Sequence, residues 1–166
     1  MSGARPSVEI HVFEERFADQ VRALVLDIQR EEFGVSITAE EQPDLMDTSG
    51  FFQSDEGNFW VARAEGQVVG TIGLKDFGAR RLALRKMFVD ASWRGAAKGV
   101  SGLLMDAALK WARKKGARAI YLGSVAQMHA AHRFYEKHGF EAVADSALPD
   151  DFPLAHVDTK FFRLTL

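Results

Sequence analysis

Apolar residues alternate with polar ones at Val8, Ile10 and Val12, a period of two that predicts a half-buried strand. The period then lengthens. From Asp19 to Phe33 the apolar positions Val21, Leu24, Val25 and Ile28 fall on one face of a helix, and Gly34 follows as a stop. Thr38 and Glu41 stand at capping-box spacing, which predicts a short second helix from Ala39 toward Met46, crossed by Pro43. Ser49, Gly50, Ser54, Asp55, Gly57 and Asn58 then read as loop.

Three apolar segments follow, 59–64, 68–74 and 82–89. The first two are joined by Glu65-Gly66-Gln67, a hairpin signal. Tight turns between all three predict an antiparallel meander. A helix is expected from Gly102 to Lys115, with Leu104, Ala107, Ala108, Trp111 and Ala112 facing the core. Arg113, Lys114 and Lys115 complement the dipole of its last turn, and Gly116 ends it. A short strand at 119–122 then makes a strand–helix–strand unit, so this pair is parallel with a right-handed crossover. A further helix runs from about Gln127 to His138 and stops at Gly139, and strands at 140–144 and 157–166 close the chain. The pattern is a mixed α/β sheet, antiparallel in front with a βαβ unit behind.

Composition narrows the chemistry. The 166 residues suit one domain, and 47% apolar with 27% charged is an ordinary globular balance. A net charge of -2 gives no general attraction to nucleic acid. There is no cysteine, which removes disulfides, thiolate zinc sites and a cysteine nucleophile. The N-terminal stretch lacks the apolar core of a signal peptide, and no apolar run approaches the roughly 20 residues of a membrane span. A soluble, cytoplasmic protein is the expectation.

The stretch from Met87 to Ser101 concentrates the chemistry. An apolar strand passes through a basic loop of small residues into a helix N-terminus. First-turn N–H groups have no partner inside the helix, and the macrodipole adds positive charge there, so the place suits a phosphate. Arg94 and Lys98 add two full charges, and Gly99 permits close backbone approach.

The segment LRKMFVDASWRGAAKGVSGLLMDAAL resembles the acetyl-CoA-binding motif of the GNAT N-acetyltransferase superfamily, and AAHRFYEKHGF resembles its second signature. The likeness covers Val8 to Leu166. It implies a single-domain α/β (α+β) fold across residues 1–166: a mixed, mostly antiparallel sheet of about six to seven strands flanked by about four helices. It also implies acetyl transfer from acetyl-CoA to an amine, without a metal. By the same resemblance Met87, Phe88 and Val89 lie beside the pantetheine arm. Their backbone N–H groups can bond the thioester carbonyl as charge builds on its oxygen. The diphosphate falls to Arg94, Gly95, Lys98, Gly99, Val100 and Ser101. Tyr135 aligns with the family tyrosine that protonates the leaving thiolate, and its phenol is protonated at neutral pH. Ala131, one helical turn earlier, leaves room for the coenzyme.

Three departures stand out. The loop after Arg94 is one residue longer than the family form, Ser101 stands where Gly or Ala is usual, and Met128 occupies a position often held by Asn. The strand LALRKMFV carries no carboxylate to serve as base. Glu41, Asp44 and Asp76 are the remote candidates, each more simply read as a surface acid. His129 and His132 are spaced i, i+3 on one helix face, a possible metal pair with no third ligand evident, and read as polar surface, with His132 near the thioester as a further alternative; Arg133 and Lys137 read as a solvated face or a 3′-phosphate contact. Trp60, Trp93 and Trp111 read as packing, and Phe33, Phe51 and Phe52 as core or as lining of an acceptor cleft. The missing base keeps a second reading open, a catalytically silent acetyl-CoA sensor or interaction module. The expected partners are acetyl-CoA and an amine acceptor, with no nucleic acid and no membrane. A homodimer, frequent in the family, is compatible with the sequence.

Overall fold

A computed structural model describes residues 7–95, 99–126, 128–154 and 158–166. Strand β1 (Glu9–Val12) leads into helix α1 (Ala18–Asp27), which continues as a π-helical turn over Ile28–Glu32. Two short helices, α2 (Pro43–Met46) and α3 (Thr48–Phe52), precede the meander β2 (Asn58–Ala64), β3 (Gln67–Asp76) and β4 (Arg81–Val89). Helix α4 (Val100–Lys114), strand β5 (Ala119–Ser124), helix α5 (His129–Lys137) and strands β6 (Glu141–Val143) and β7 (Lys160–Thr165) complete the chain.

The seven strands form one sheet in the order β1-β2-β3-β4-β5-β7-β6, antiparallel at every joint except β4–β5. The expected mixed, mostly antiparallel sheet and the parallel βαβ unit are therefore present. The β2–β3 hairpin turns on Glu65 and Gly66, with φ of 54° and 76°. Left-handed geometry at both turn residues gives a twist that matches the flanking strands.

The sheet is covered on both faces. On one face Val100, Leu104, Met105 and Ala108 of α4 and Tyr135 of α5 pack against Ile72, Leu74, Leu84 and Leu122. On the other, Val21, Val25 and Ile28 meet Leu45, Phe52, Phe59 and Val61. Ala83, Phe152 and Phe161 form a smaller cluster with Tyr121 and Phe77. Trp60 and Trp111 pack edge to face, as the packing reading required, and the Trp111 indole N–H donates to the Glu56 carbonyl at 2.9 Å.

The elements differ from the sequence pattern where contacts distant in sequence decide. Ser49 and Gly50 read as loop in the sequence, but they lie inside α3. The Asp47 carboxylate accepts from Gly50 N–H at 3.0 Å, and Phe52 is fully buried against Gly73. A Cβ at Gly73 would lie 2.7 Å from the Phe52 ring, so the glycine makes the seat that the aromatic residue fills. Thr38 and Glu41 do interact, but they close a turn and the helix starts later, at Pro43. Helix α4 begins two residues earlier than expected. Gly99, at φ 71°, turns the chain into it. Val100 and Leu104 then dock over Gly70, where a Cβ would come within 2.9 Å of Leu104.

Candidate active site

Strands β4 and β5 share only three rungs, Arg81↔Ala119, Leu82↔Ile120 and Ala83↔Tyr121. Beyond them the strands run on, to Val89 and Ser124, with no further pairing among the described residues. Right-handed twist and the crossover through α4 spread them into a wedge. Residues 84–89 thus make no rung with β5, the kind of edge an extended amide chain can join, although the Val89 carbonyl there already accepts from Arg94 Nε.

A bulge shapes this edge. Thr71 pairs with Phe88 and Gly73 with Arg85, so Lys86 and Met87 together face Ile72. Lys86 takes a left-handed φ of 56°, a conformation costing a non-glycine residue about 1 kcal/mol. The buried Thr71 hydroxyl donates to the Lys86 carbonyl at 2.7 Å and holds it there. The bulge puts Arg85 and Lys86 on the same face, and alternation resumes after it. Met87 packs with the α4-side core and Phe88 with the α1-side core, while Val89 is buried. Their side chains are core packing, so any part that Met87, Phe88 and Val89 play in binding falls to their backbone.

At the mouth of the wedge stands the N-terminus of α4. Gly95 and Gly99 both have positive φ, 101° and 71°, and Gly99 N–H donates to the Gly95 carbonyl at 3.3 Å. Val100 and Ser101 form the first turn, where helix geometry leaves N–H groups unpaired. Arg94 sits here too, but its guanidinium is engaged. Nε donates to the Val89 carbonyl at 2.8 Å, and the fork meets both carboxylate oxygens of Glu32 at 2.5 and 2.8 Å. Arg94 thereby ties the loop to the π-helical turn, and an anion at this mouth competes with Glu32 for it. Lys98, the second expected cation, lies outside the described residues, as do Ala96 and Ala97.

Helix α5 closes the α4 side of the wedge. Ala131 is half-buried against the core, and Tyr135 is buried with its ring near Phe140 and Phe162. The Tyr135 hydroxyl makes no hydrogen bond to another described residue, and burial pushes its pKa up to about 12. Ala131 and Tyr135 therefore both face inward. So does His132, which was read as polar surface. Its ring is 7% exposed, lies on Phe162, and its Nε2 is 3.2 Å from the hydroxyl of Ser124 at the end of β5. The alternative, a metal pair with His129, finds no third ligand among the described residues. Arg133 and Lys137 are exposed, as a solvated face requires.

Burial, ahead of all other influences, lowers the His132 pKa below its ordinary 6.5. The unfolded chain then binds a proton that the folded chain resists. Stability is therefore lost as pH falls below 6.5 and through the folded value. Thermal melts of His132→Gln between pH 7.5 and 5 should decline less steeply toward acid than those of the wild type. Equal slopes would remove His132 as the source.

On the opposite face the wedge is polar. The bulge turns both Arg85 and Lys86 toward α2, where Asp44 Oδ2 lies 3.5 Å from Arg85 Nε and 3.0 Å from Lys86 Nζ. Asp44 is 3% exposed and the Lys86 side chain 11%. The surface-acid reading of Asp44 is therefore wrong: α2 and α3 bury it over the strand. Glu41 and Asp76 do hold turns, Glu41 at Thr38 and Asp76 at the N–H groups of Glu56 and Gly78. Burial lowers the Lys86 pKa, with Asp44 opposing. The Asp158 carboxylate, which occupies the space a Cβ at Gly123 would need, opposes this lowering more weakly. Adjacent cations inside an apolar strand were the signal for this cluster, but reading the strand only for carboxylates missed it.

A family model for the acetyltransferase (GNAT) family matches residues 22–140. The chain belongs to the GNAT acetyltransferase family. It is 33% identical over 105 residues to N-acetylaspartate synthetase of Danio rerio, covering 62% of this chain and 36% of that protein. It is 32% identical over 109 residues to N-acetyltransferase 8 of Rattus norvegicus, covering 62% of this chain and 48% of that protein. The chain thus spans less than half the length of these relatives. A GNAT-family acetyltransferase from Staphylococcus aureus Mu50 superposes with a TM-score of 0.89 at 29% identity, over 96% of this chain and 99% of that one. The PaiA N-acetyltransferase of Thermoplasma acidophilum, solved in complex with coenzyme A, shares the fold at 16% identity with a TM-score of 0.73, over 96% of this chain and 99% of that one. No described helix is long and apolar enough to cross a membrane.

Proposed function

We propose that this GNAT domain transfers the acetyl group of acetyl-CoA to the primary amine of a small, carboxylate-bearing acceptor. The observation that carries the reading is the wedge itself: an unpaired, bulged strand edge ending at the glycine-capped start of a helix. These features fit an acyl-coenzyme, because a strand edge suits the amides of its arm and a helix N-terminus suits its diphosphate. When bound, acetyl-CoA supplies an activated acyl carbonyl and a thiolate leaving group. The backbone of Met87, Phe88 and Val89 orients that carbonyl and stabilises charge on its oxygen. The first turn at Gly99, Val100 and Ser101, with Gly95 in the loop before it, receives the diphosphate. Lys98 supplies positive charge there, and so does Arg94 if it leaves Glu32. Ala131 gives clearance. Tyr135 keeps its proton across the physiological range and offers it to the departing sulfur.

The acceptor reading rests on the other face. Arg85 and Lys86 would receive a substrate carboxylate in competition with Asp44, which they already hold, and Asp158 adds negative charge on the β5 side, where an ammonium would be favoured. A zwitterion meets both signs. Relatives named N-acetylaspartate synthetase support the same class. Thiol release from acetyl-CoA should therefore be faster with L-aspartate and similar amino acids than with uncharged amines of matched pKa. Asp44→Leu/Lys86→Met, which leaves neither buried charge without its partner, should raise KM for the anionic acceptors by about 10-fold, the worth of one charged hydrogen bond, and leave the uncharged amines unchanged. Equal KM changes for both groups would remove the acceptor assignment. Acetyl-CoA binding without turnover on any amine would favour a silent binding module.

A further inference from the structure

A second basic site lies at the other end of the sheet. Strand β4 ends at the coenzyme wedge and begins, roughly 25 Å away at strand rise, at Arg81. There a cavity of about 450 Å³ opens between the start of β4, the start of β5 and the end of β7. Its lining includes Arg80, Arg81, Arg118 and Arg163, together with Tyr121, and no acidic side chain. The volume lies in the range of small-molecule sites.

The four arginines are held together by the fold. Arg118 N–H donates to the Arg80 carbonyl at 2.7 Å, and Leu166 N–H donates to the Arg118 carbonyl at 2.9 Å. Arg81 pairs with Ala119 across β4–β5, and Arg163 pairs with Tyr121 across β5–β7. Two of the four have acids reaching them from outside the cavity, Asp151 to Arg81 at 2.6 Å and Glu141 to Arg163 at 3.2 Å. Arg80 and Arg118 have no ion-pair partner among the described residues. Arg163 also keeps its Nε–H buried with no acceptor there. Arg63 Nε–H is orphaned in the same way without lining this cavity, so the Arg163 donor adds to the wall a further group able to bind an anion.

We propose that this cavity is an anion-binding site, separate from the coenzyme wedge, for a small ligand carrying two or more phosphate or carboxylate groups. Planar guanidinium forks match the oxygens of both groups and take them in pairs. Two arginines that already hold acids and two that do not leave a surplus of positive charge, which favours a multivalent ligand over a single carboxylate. The chain as a whole is net negative, so this surplus is local.

The test is thermal melting with pyrophosphate, inorganic phosphate or citrate, at ionic strength held constant with chloride and with saturating coenzyme A to occupy the wedge. A saturable rise of about 5 °C with pyrophosphate or citrate is expected, and a smaller one with phosphate. Whichever of pyrophosphate and citrate acts more strongly identifies a phosphate or a carboxylate source. Arg80→Ala/Arg118→Ala, which alters two exposed side chains outside the wedge, should lose that rise and keep the one caused by coenzyme A alone. No saturable rise with any of the three anions would overturn the proposal, as would an equal rise in the double variant. Tighter binding of a single-stranded oligonucleotide than of any small anion would also overturn it.

Discussion

Tyr135→Phe should lower kcat at least about 100-fold while leaving acetyl-CoA affinity and the melting temperature nearly unchanged. A positioned general acid contributes on the order of 10² to 10⁴ in rate. Removing the hydroxyl should cost little stability, since it bonds no other described residue and the ring contacts with Phe140 and Phe162 survive the change. That separation makes kcat the informative readout, with calorimetric coenzyme affinity as the control. Burial holds the phenol near 12, so no tyrosine limb should enter the pH–rate profile below about pH 11. The rising limb should instead follow the pKa of the acceptor amine and move when the acceptor is changed. An unchanged kcat in the Phe variant would exclude Tyr135 as the proton donor.

Asp44→Leu should destabilise the fold by about 3–5 kcal/mol, lowering the melting temperature by roughly 10 °C. The change leaves Lys86, only 11% exposed, without its buried partner. Combining it with Lys86→Met should recover much of the loss, because an apolar pair needs no compensation in a buried site. Denaturant titration of the single and double variants gives the coupling directly. The pH dependence has a definite sign. The folded Lys86 pKa lies below 10.5, so the unfolded chain binds its proton more tightly. Stability held back at neutral pH is therefore regained as pH rises through the folded value toward 10.5. Without Asp44 to oppose burial the pKa falls further, so the deficit of Asp44→Leu should narrow between pH 7 and 10. A negligible cost for the single variant would mean that the pair is screened by solvent.

Local pattern reached far into the fold. The alternation at Val8 to Val12, the Glu65-Gly66 turn and the strand–helix–strand order around α4 led to an antiparallel meander followed by one parallel joint, and the sheet has that form. Gly139-Phe140 and its motif singled out Tyr135 in the sequence, whereas nothing local marked the inward aim of His132. A histidine between Ala131 and Arg133 looks polar until Phe162 and Ser124 are brought against it. Asp44 looked like a surface acid for the same reason: its cations sit about 40 residues away on β4.

What the sequence determined by itself is what short-range rules govern. Periodicity chose helix or strand, and left-handed glycines such as Gly116 and Gly139 marked helix ends. Two motifs marked the family, and the strand–loop–helix from Met87 to Ser101 is where the proposed diphosphate contacts fall. Tertiary structure alone decided which groups are free to act. It tied Arg94 to Glu32, buried Asp44 on Lys86 and gathered four arginines at the far end of the sheet. Each of these depends on long-range approach and loss of water. A charge's partner and its solvation are properties of the space around it, and residues tens of positions away in the chain fill that space.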